Sequence, residues 1–234
     1  MNTVLAYWAQ LGAMQAATLP PLPLMQFWLR LGWGLVLAAL LLAVVARVVS
    51  LRTQSPRLGV LRLLAVFVVA WCALPGATSP AYWLGLAFQA PSLSAGALAV
   101  LVLLRHGLAG PVGAFATTGL LQQARCWAPA AVVLGWALLL DTFACWPLAL
   151  YPMGFGVLGW VVLLAVALAP WAWGGGPLRG HAGGLLWVAV LLVFAALHLP
   201  SGNVWDAVLD PWLWGLAHVV LLASVFSRYK KRSV

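Results

Sequence analysis

The residues that could do chemistry in this chain of 234 residues are few. It contains three acidic residues, all of them aspartate, at Asp141, Asp206 and Asp210. Zinc-protease helices, carboxylate-bridged di-iron bundles and calcium loops each need a glutamate as ligand or base. The chain has no glutamate, which excludes these classes of site.

The aspartate at position 141 lies inside the apolar sequence ALLLDTFACW. A carboxylate within a membrane must be protonated or paired with a cation, because an isolated charge there is strongly unfavourable. Arg30 lies at the matching depth of another apolar run, and we expect it to pair with Asp141. Such a pair could fix two helices in register or form part of a binding site, and both interpretations stay open.

A second group of polar residues falls in LHLPSGNVWDAVLDPWLWGLAH, which contains two histidines and two aspartates. His198 or His218 could act as a base near neutral pH, or bind a metal together with Asp206. If the segment is helical, Asp206 and Asp210 share a face at a spacing of i, i+4. Because Pro211 follows Asp210, this pair also fits a helix N-cap with proline at the first helical position.

The composition predicts a protein embedded in lipid. Hydrophobic residues make up 65% of the chain and charged residues 6%, whereas about a quarter of the residues of a soluble domain are charged. The formal net charge of +9 does not by itself indicate nucleic acid, because basic residues of a membrane protein first set its orientation. We therefore expect the lipid bilayer as a partner and no nucleic acid.

Seven apolar runs approach the roughly 20 residues that a helix needs to cross the hydrocarbon core. They are 26–48, 59–75, 82–104, 127–146, 153–172, 183–200 and 211–227. All cations except Arg30 lie in the first, third and fifth connections and at the C-terminus, which assigns these parts to the cytoplasmic side. The predicted fold is an all-α, polytopic transmembrane bundle of about seven spans, with the N-terminus outside and the C-terminus inside.

This topology divides the chain into three parts. Residues 1–25 form an interfacial segment on the outer side, 26–227 the transmembrane bundle with short loops, and 228–234 a basic cytoplasmic tail. The connection 105–126 is apolar enough to lie along the inner leaflet as an amphipathic segment. The three aspartates and His198 then fall at or near the outer face, which predicts a polar cluster there.

The sequence lacks the motifs of several membrane enzymes and cofactor-binding proteins. The sequence SLSAG lacks the leading glycine of a serine-hydrolase elbow, and no predicted span contains the lysine of a retinal Schiff base. The spacing of histidine and aspartate matches no metal motif, and the sequence specifies no cofactor. Because His198 and His218 differ in depth by about 11 Å, one haem iron bound by both is disfavoured.

The small number of catalytic side chains favours a non-catalytic protein of the bacterial inner membrane, either a subunit of a membrane complex or a small transporter. Its partners would be other membrane proteins or a lipid-like ligand. The alternative is a membrane-embedded transferase or hydrolase that acts on a lipid-linked substrate at the outer leaflet. A third interpretation is an electron carrier that binds haem or quinone.

The enzyme alternative assigns two sets of residues. Arg30 would hold a phosphate of the substrate, because its planar guanidinium matches phosphate oxygens. The candidate catalytic residues are His218, His198, Asp206 and Asp141, and the candidate substrate-binding residues are Arg30, Asn203 and Asp210.

Overall fold

The computed structural model describes residues 18–49, 57–107, 111–145, 149–173 and 182–232. Within these ranges the chain is helical and contains no β-strand. In chain order the helices are α1 (Leu22–Val49), α2 (Arg57–Ala73), α3 (Pro80–Phe88), α4 (Leu93–Gly107), α5 (Pro111–Thr142), α6 (Leu150–Met153), α7 (Val157–Trp173), α8 (Ala182–Leu197), α9 (Val204–Val208) and α10 (Pro211–Arg232). A 3-10 turn, Gly76–Thr78, precedes α3.

The all-helical fold predicted from the sequence is confirmed for the described residues. One helix there is long and apolar enough by itself to cross a membrane, with a segment of 24 residues, Leu22–Val45, and a mean hydropathy of 2.1. The other long helices contain shorter apolar stretches of 10–17 residues. The number of crossings therefore stays a prediction.

The helix α4 lies at the centre of the packing. It contacts α1, α5, α8 and the short α9, while α2 packs on α1, α10 on α5 and α7 on α8. The main apolar core forms where α4, α7, α8 and α9 meet, and its largest fully buried side chains are Leu191, Val204 and Val208. A smaller core contains Trp33, Cys72 and Ala81, at the contact of α1 with α2 and α3.

The third predicted span, 82–104, is not one helix, because the chain is interrupted between α3 and α4. Gln89 has a positive φ of 62°, and Pro91 can neither donate a backbone hydrogen bond nor allow the helix to continue through the residue before it. Two carbonyl oxygens that the interruption frees accept hydrogen bonds from tryptophans of α1. The Trp33 indole donates to Gln89 and the Trp28 indole to Pro91, each at 2.8 Å.

Helices α3 and α4 run in opposite directions along α1. Ala81 packs beside Trp33, and Gly85, one turn later, lies beside Leu29, so α3 advances toward the N-terminal end of α1. The helix α4 then runs back, and its Leu103 packs in the cluster around Ala38 and Leu42. The interruption at 89–92 is therefore a reversal of chain direction rather than a kink.

Two further boundaries differ from those predicted. Residues 111–126, expected as part of a separate amphipathic segment, continue without interruption into the helix that contains 127–142. The basic sequence 228–234 is helical as far as residue 232, because α10 continues through it. Of the predicted interfacial segment 1–25, residues 1–17 lie outside the described residues, and α1 begins at Leu22.

Candidate functional site

A group of polar side chains surrounds Tyr151, which lies in the short helix α6. The Tyr151 hydroxyl donates a hydrogen bond of 2.8 Å to Oδ2 of Asp206, and the Ser201 hydroxyl donates to the same oxygen. The backbone N–H of Tyr151 donates to Oδ2 of Asp141 at 2.7 Å. One tyrosine therefore links two aspartates that are far apart in sequence. We call Asp141, Tyr151, Ser201, Asn203 and Asp206 the polar cap.

The fully buried Asn203 ties together the two loops that form the polar cap. Its amide nitrogen donates to the Tyr151 carbonyl at 3.0 Å, and its Oδ1 accepts from the Trp205 backbone N–H at 2.9 Å. The Trp205 indole donates to the Leu150 carbonyl at 2.9 Å. The segment between α5 and α7 and the segment between α8 and α10 thus form one hydrogen-bonded unit.

The predicted ion pair between Arg30 and Asp141 is absent from the described residues. Asp141 lies in the last turn of α5, whereas the helix that contains Arg30 packs against α2, α3 and α4. The backbone amide of Tyr151 is the hydrogen-bond donor to Asp141 instead. The prediction was wrong because equal depth in the bilayer does not make two helices neighbours.

A single aspartate, Asp210, caps α10 and also binds the backbone at the start of α4, where the Ser92 hydroxyl accepts from the Ala95 amide. Its carboxylate is 8% exposed; Oδ1 accepts from the backbone N–H of Leu213 at 2.8 Å and Oδ2 from that of Ser92 at 2.9 Å. These amides belong to the N-terminal ends of α10 and α4, where the helix dipole favours negative charge. The predicted N-cap is confirmed. The predicted face shared with Asp206 is wrong, because the chain is extended at Leu209.

The two candidate histidines do not contact the carboxylates of the polar cap. His198 directly follows α8 with a φ of 55°, and its ring packs on Phe194 at a centroid distance of 5.6 Å. His218 lies in α10, with Nδ1 at 2.8 Å from the Trp214 carbonyl oxygen. Among the described residues, neither ring makes a hydrogen bond to an aspartate or to Ser201. The structure therefore contains no base beside a nucleophile at these positions.

The electrostatics of the polar cap keep Tyr151 neutral. Burial raises the pKa of its phenol above the ordinary value of 10, and the negative charge of Asp206 raises it further. Asp206 accepts hydrogen bonds from two hydroxyl groups, those of Tyr151 and Ser201. Because its pKa is raised, the Tyr151 phenol keeps its proton and is not activated as a nucleophile.

No group of three or more metal-binding side chains occurs within the part of the chain that the structure describes. A cavity of about 140 Å³ lies between α4, α5, α8 and α10, with walls that include Trp127, Trp187 and Leu213. Ser94 lines the same cavity, and its hydroxyl donates to the Ala207 carbonyl at 3.4 Å. The cavity can accept an apolar chain, and none of the described residues that line it carries a charge that would orient a ligand.

No protein-family model, curated protein or solved structure matches this chain. The functional argument therefore depends on the arrangement of its own residues. That arrangement brings together Asp141, Asn203 and Asp206 and leaves Arg30 and His218 elsewhere.

The sequence analysis missed Tyr151, the residue that links these side chains. The signal for it was weak, since a tyrosine in a short segment between apolar runs is typical of an interfacial anchor.

Proposed function

We propose that the chain is a multi-pass, non-catalytic protein of a bacterial inner membrane and acts as a subunit of a larger membrane complex. One observation supports the non-catalytic role above all. Each of its three aspartates accepts hydrogen bonds from the chain's own backbone or hydroxyl groups, and together they fix two loops and two helix ends. Carboxylates that accept hydrogen bonds from the backbone are typical of structural caps, which favours a non-catalytic role.

The proposed topology has seven crossings, with the N-terminus outside and the C-terminus in the cytoplasm. Each predicted span overlaps a helix, and the cations occur only on alternate connections apart from Arg30. Large apolar side chains also face outward: Leu63 of α2 is 71% exposed, and Phe226 of α10 is 70% exposed. Such faces are suited to lipid or to the helices of another membrane protein.

The interruption before α4 favours a subunit over a transporter. In transporters with broken helices, the N-terminus of a half-helix points at an anionic group of the substrate. Here the carboxylate of Asp210 already occupies the N-terminus of α4, through its hydrogen bond with the Ser92 amide. The position where a transported anion would bind is thus filled by the protein itself.

Cysteine labelling in intact spheroplasts tests the topology. The native cysteines are replaced by alanine, and single reporters are introduced as Ala77→Cys, Ala149→Cys and Ser233→Cys. We expect a membrane-impermeant maleimide to label the first two at once, and Ser233→Cys only after the cells are lysed. Immediate labelling of Ser233→Cys, or protection of both exposed residues Ala77 and Ala149, would contradict the topology.

The subunit role is tested by solubilising the membranes in a mild detergent and measuring the native mass and stoichiometry of the tagged chain. We expect a second polypeptide at a fixed molar ratio, in a species well above the 24.8 kDa of the chain. An Asp206→Asn variant that folds should keep this ratio, because the proposal gives Asp206 no role in chemistry. A chain that purifies without a stoichiometric partner would contradict the proposal.

A further inference from the structure

The imidazole of His218 is held in one tautomer by its own helix. Its Nδ1 lies 2.8 Å from the carbonyl oxygen of Trp214, and a carbonyl oxygen can only accept a hydrogen bond. Nδ1 therefore carries the proton and donates it. In the neutral ring the other nitrogen, Nε2, then has a free lone pair and acts as an acceptor.

Two tryptophans form the surroundings of this ring. The Trp214 indole lies 5.1 Å from the imidazole centroid at 77°, and the Trp136 indole lies 6.4 Å away at 76°. The two indoles contact each other edge to face at 5.2 Å. We call Gly135, Trp136, Trp214 and His218 the α5–α10 seam, because they lie where these two helices meet. Trp136 is 48% exposed, so one wall of the seam is open.

The free nitrogen of His218 has no donor within the part of the chain described by the structure. In the proposed topology the residue lies about 11 Å along α10 from Pro211, and therefore inside the hydrocarbon. A hydrogen-bond acceptor in hydrocarbon without a donor is unfavourable, because no water is present to satisfy it. A ligand that brings a donor to this position is therefore favoured.

We propose that the α5–α10 seam binds a membrane-soluble ligand that carries a hydroxyl group on a flat ring, the chemical class of a hydroquinone. The ligand hydroxyl donates to Nε2 of His218, and its ring packs against the exposed face of Trp136. Three features favour this class: the acceptor needs a hydrogen-bond donor, which a hydroxyl supplies, the indoles favour a flat ring, and the exposed Trp136 would face lipid in the proposed topology. The proposal concerns binding alone and includes no redox step.

This inference depends on the membrane topology proposed above, but not on the partner subunit. Cysteine labelling tests the topology by itself, so failure of the ligand to bind a chain with confirmed topology would count against the seam alone.

The binding test uses the full chain in lipid nanodiscs and a radiolabelled hydroquinone with a ten-carbon tail. We expect saturable binding that weakens about tenfold in His218→Leu, the loss typical of one hydrogen bond. Trp136→Leu should also weaken binding, whereas Trp136→Phe should keep most of it. The matched control is His198→Asn, a change at the other outer histidine that asparagine tolerates at positive φ, and its affinity should be unchanged.

A second measurement distinguishes contact from an indirect effect on folding. In a chain labelled with 15N-histidine, the resonance that His218→Leu removes is assigned to His218, and adding the hydroquinone should shift its Nε2 toward the value of a hydrogen-bonded acceptor. Absence of saturable binding would overturn the proposal. Equal affinity in wild type and His218→Leu would overturn it as well. So would a His218 Nε2 resonance that does not shift when the hydroquinone is added, or a haem absorption band that is lost in His218→Leu.

Discussion

The polar cap and the α5–α10 seam differ in which parts of the chain their hydrogen bonds connect. Every side chain of the polar cap makes a hydrogen bond to another part of the chain. In the seam, His218 makes one hydrogen bond to its own helix, and its second nitrogen has no donor among the described residues. The comparison indicates that the cap is a structural element and that the seam has capacity left for a ligand.

The difference is clearest in the loops that the cap joins. Tyr151 and Asn203 belong to segments separated by two long helices, yet each binds the other's segment directly. Gly154 is needed beside them, because a Cβ at this position would collide with the Asn203 amide. Close fit and hydrogen bonds that join two distant segments are typical of a part that must not move. The seam is also closely packed at Gly135, but the hydrogen bond of His218 stays within its own helix.

The largest loss of stability is expected at Asp210. Its carboxylate fixes the start of α10, the helix that contains His218, to the start of α4. Replacing Asp210 with alanine removes the N-cap of α10 and leaves the buried Ser92 amide without its acceptor, while the Ser92 hydroxyl still caps α4. We expect the free energy of unfolding to fall by about 3 kcal/mol. The measurement is equilibrium unfolding in mixed micelles. Asp210→Asn keeps an acceptor for the Leu213 amide, and its loss should be about half as large. Equal losses in the two variants would show that the hydrogen bond from the Leu213 amide contributes nothing.

Part of this architecture follows from the sequence and part does not. Hydropathy locates the helices, since an apolar run long enough for a span has few other structures available, and the local pattern Asp210–Pro211 identifies the N-cap. The contact of Asp210 with Ser92 joins residues 118 positions apart, and that of Tyr151 with Asp206 joins residues 55 apart. These pairs depend on which helices are neighbours, which span boundaries do not encode.

The second prediction tests the seam through Gly135, where α5 packs tightly against Trp214 of α10. A Cβ at this position would collide with the Trp214 indole, so Gly135→Ala should lower the free energy of unfolding by about 2 kcal/mol. Gly215 is the matched control on the facing helix, because a Cβ there meets nothing within 4 Å. Gly215→Ala should stabilise the protein by about 0.5 kcal/mol through helix propensity. If both alanines were neutral in thermal unfolding, the helices would not be in close contact at Gly135.

The third prediction concerns the phenol of Tyr151. Tyr151→Phe removes the hydrogen bond to Asp206 and should lower the free energy of unfolding by about 1 kcal/mol near pH 7. Because the pKa of this phenol is raised in the folded state, its stabilising effect is complete below the ordinary value of 10 and declines at higher pH. Unfolding curves at several pH values should therefore show wild type and variant converging above about pH 10. A constant difference up to pH 12 would contradict the raised pKa.

The smallest change in stability is expected at His218. This measurement tests whether the seam, unlike the polar cap, contains a polar atom without a structural role. Leucine has a similar volume, so His218→Leu removes one hydrogen bond to a carbonyl that the helix already uses, and it also removes the acceptor without a donor. These changes oppose each other, and the free energy of unfolding of the ligand-free chain should change by less than about 0.5 kcal/mol. Tyr151→Phe in the same experiment provides the scale of a side chain that is fully hydrogen-bonded. If His218→Leu lowered the free energy of unfolding as much as Tyr151→Phe does, Nε2 of His218 would have a partner in the folded protein. The seam would then be a structural element like the polar cap.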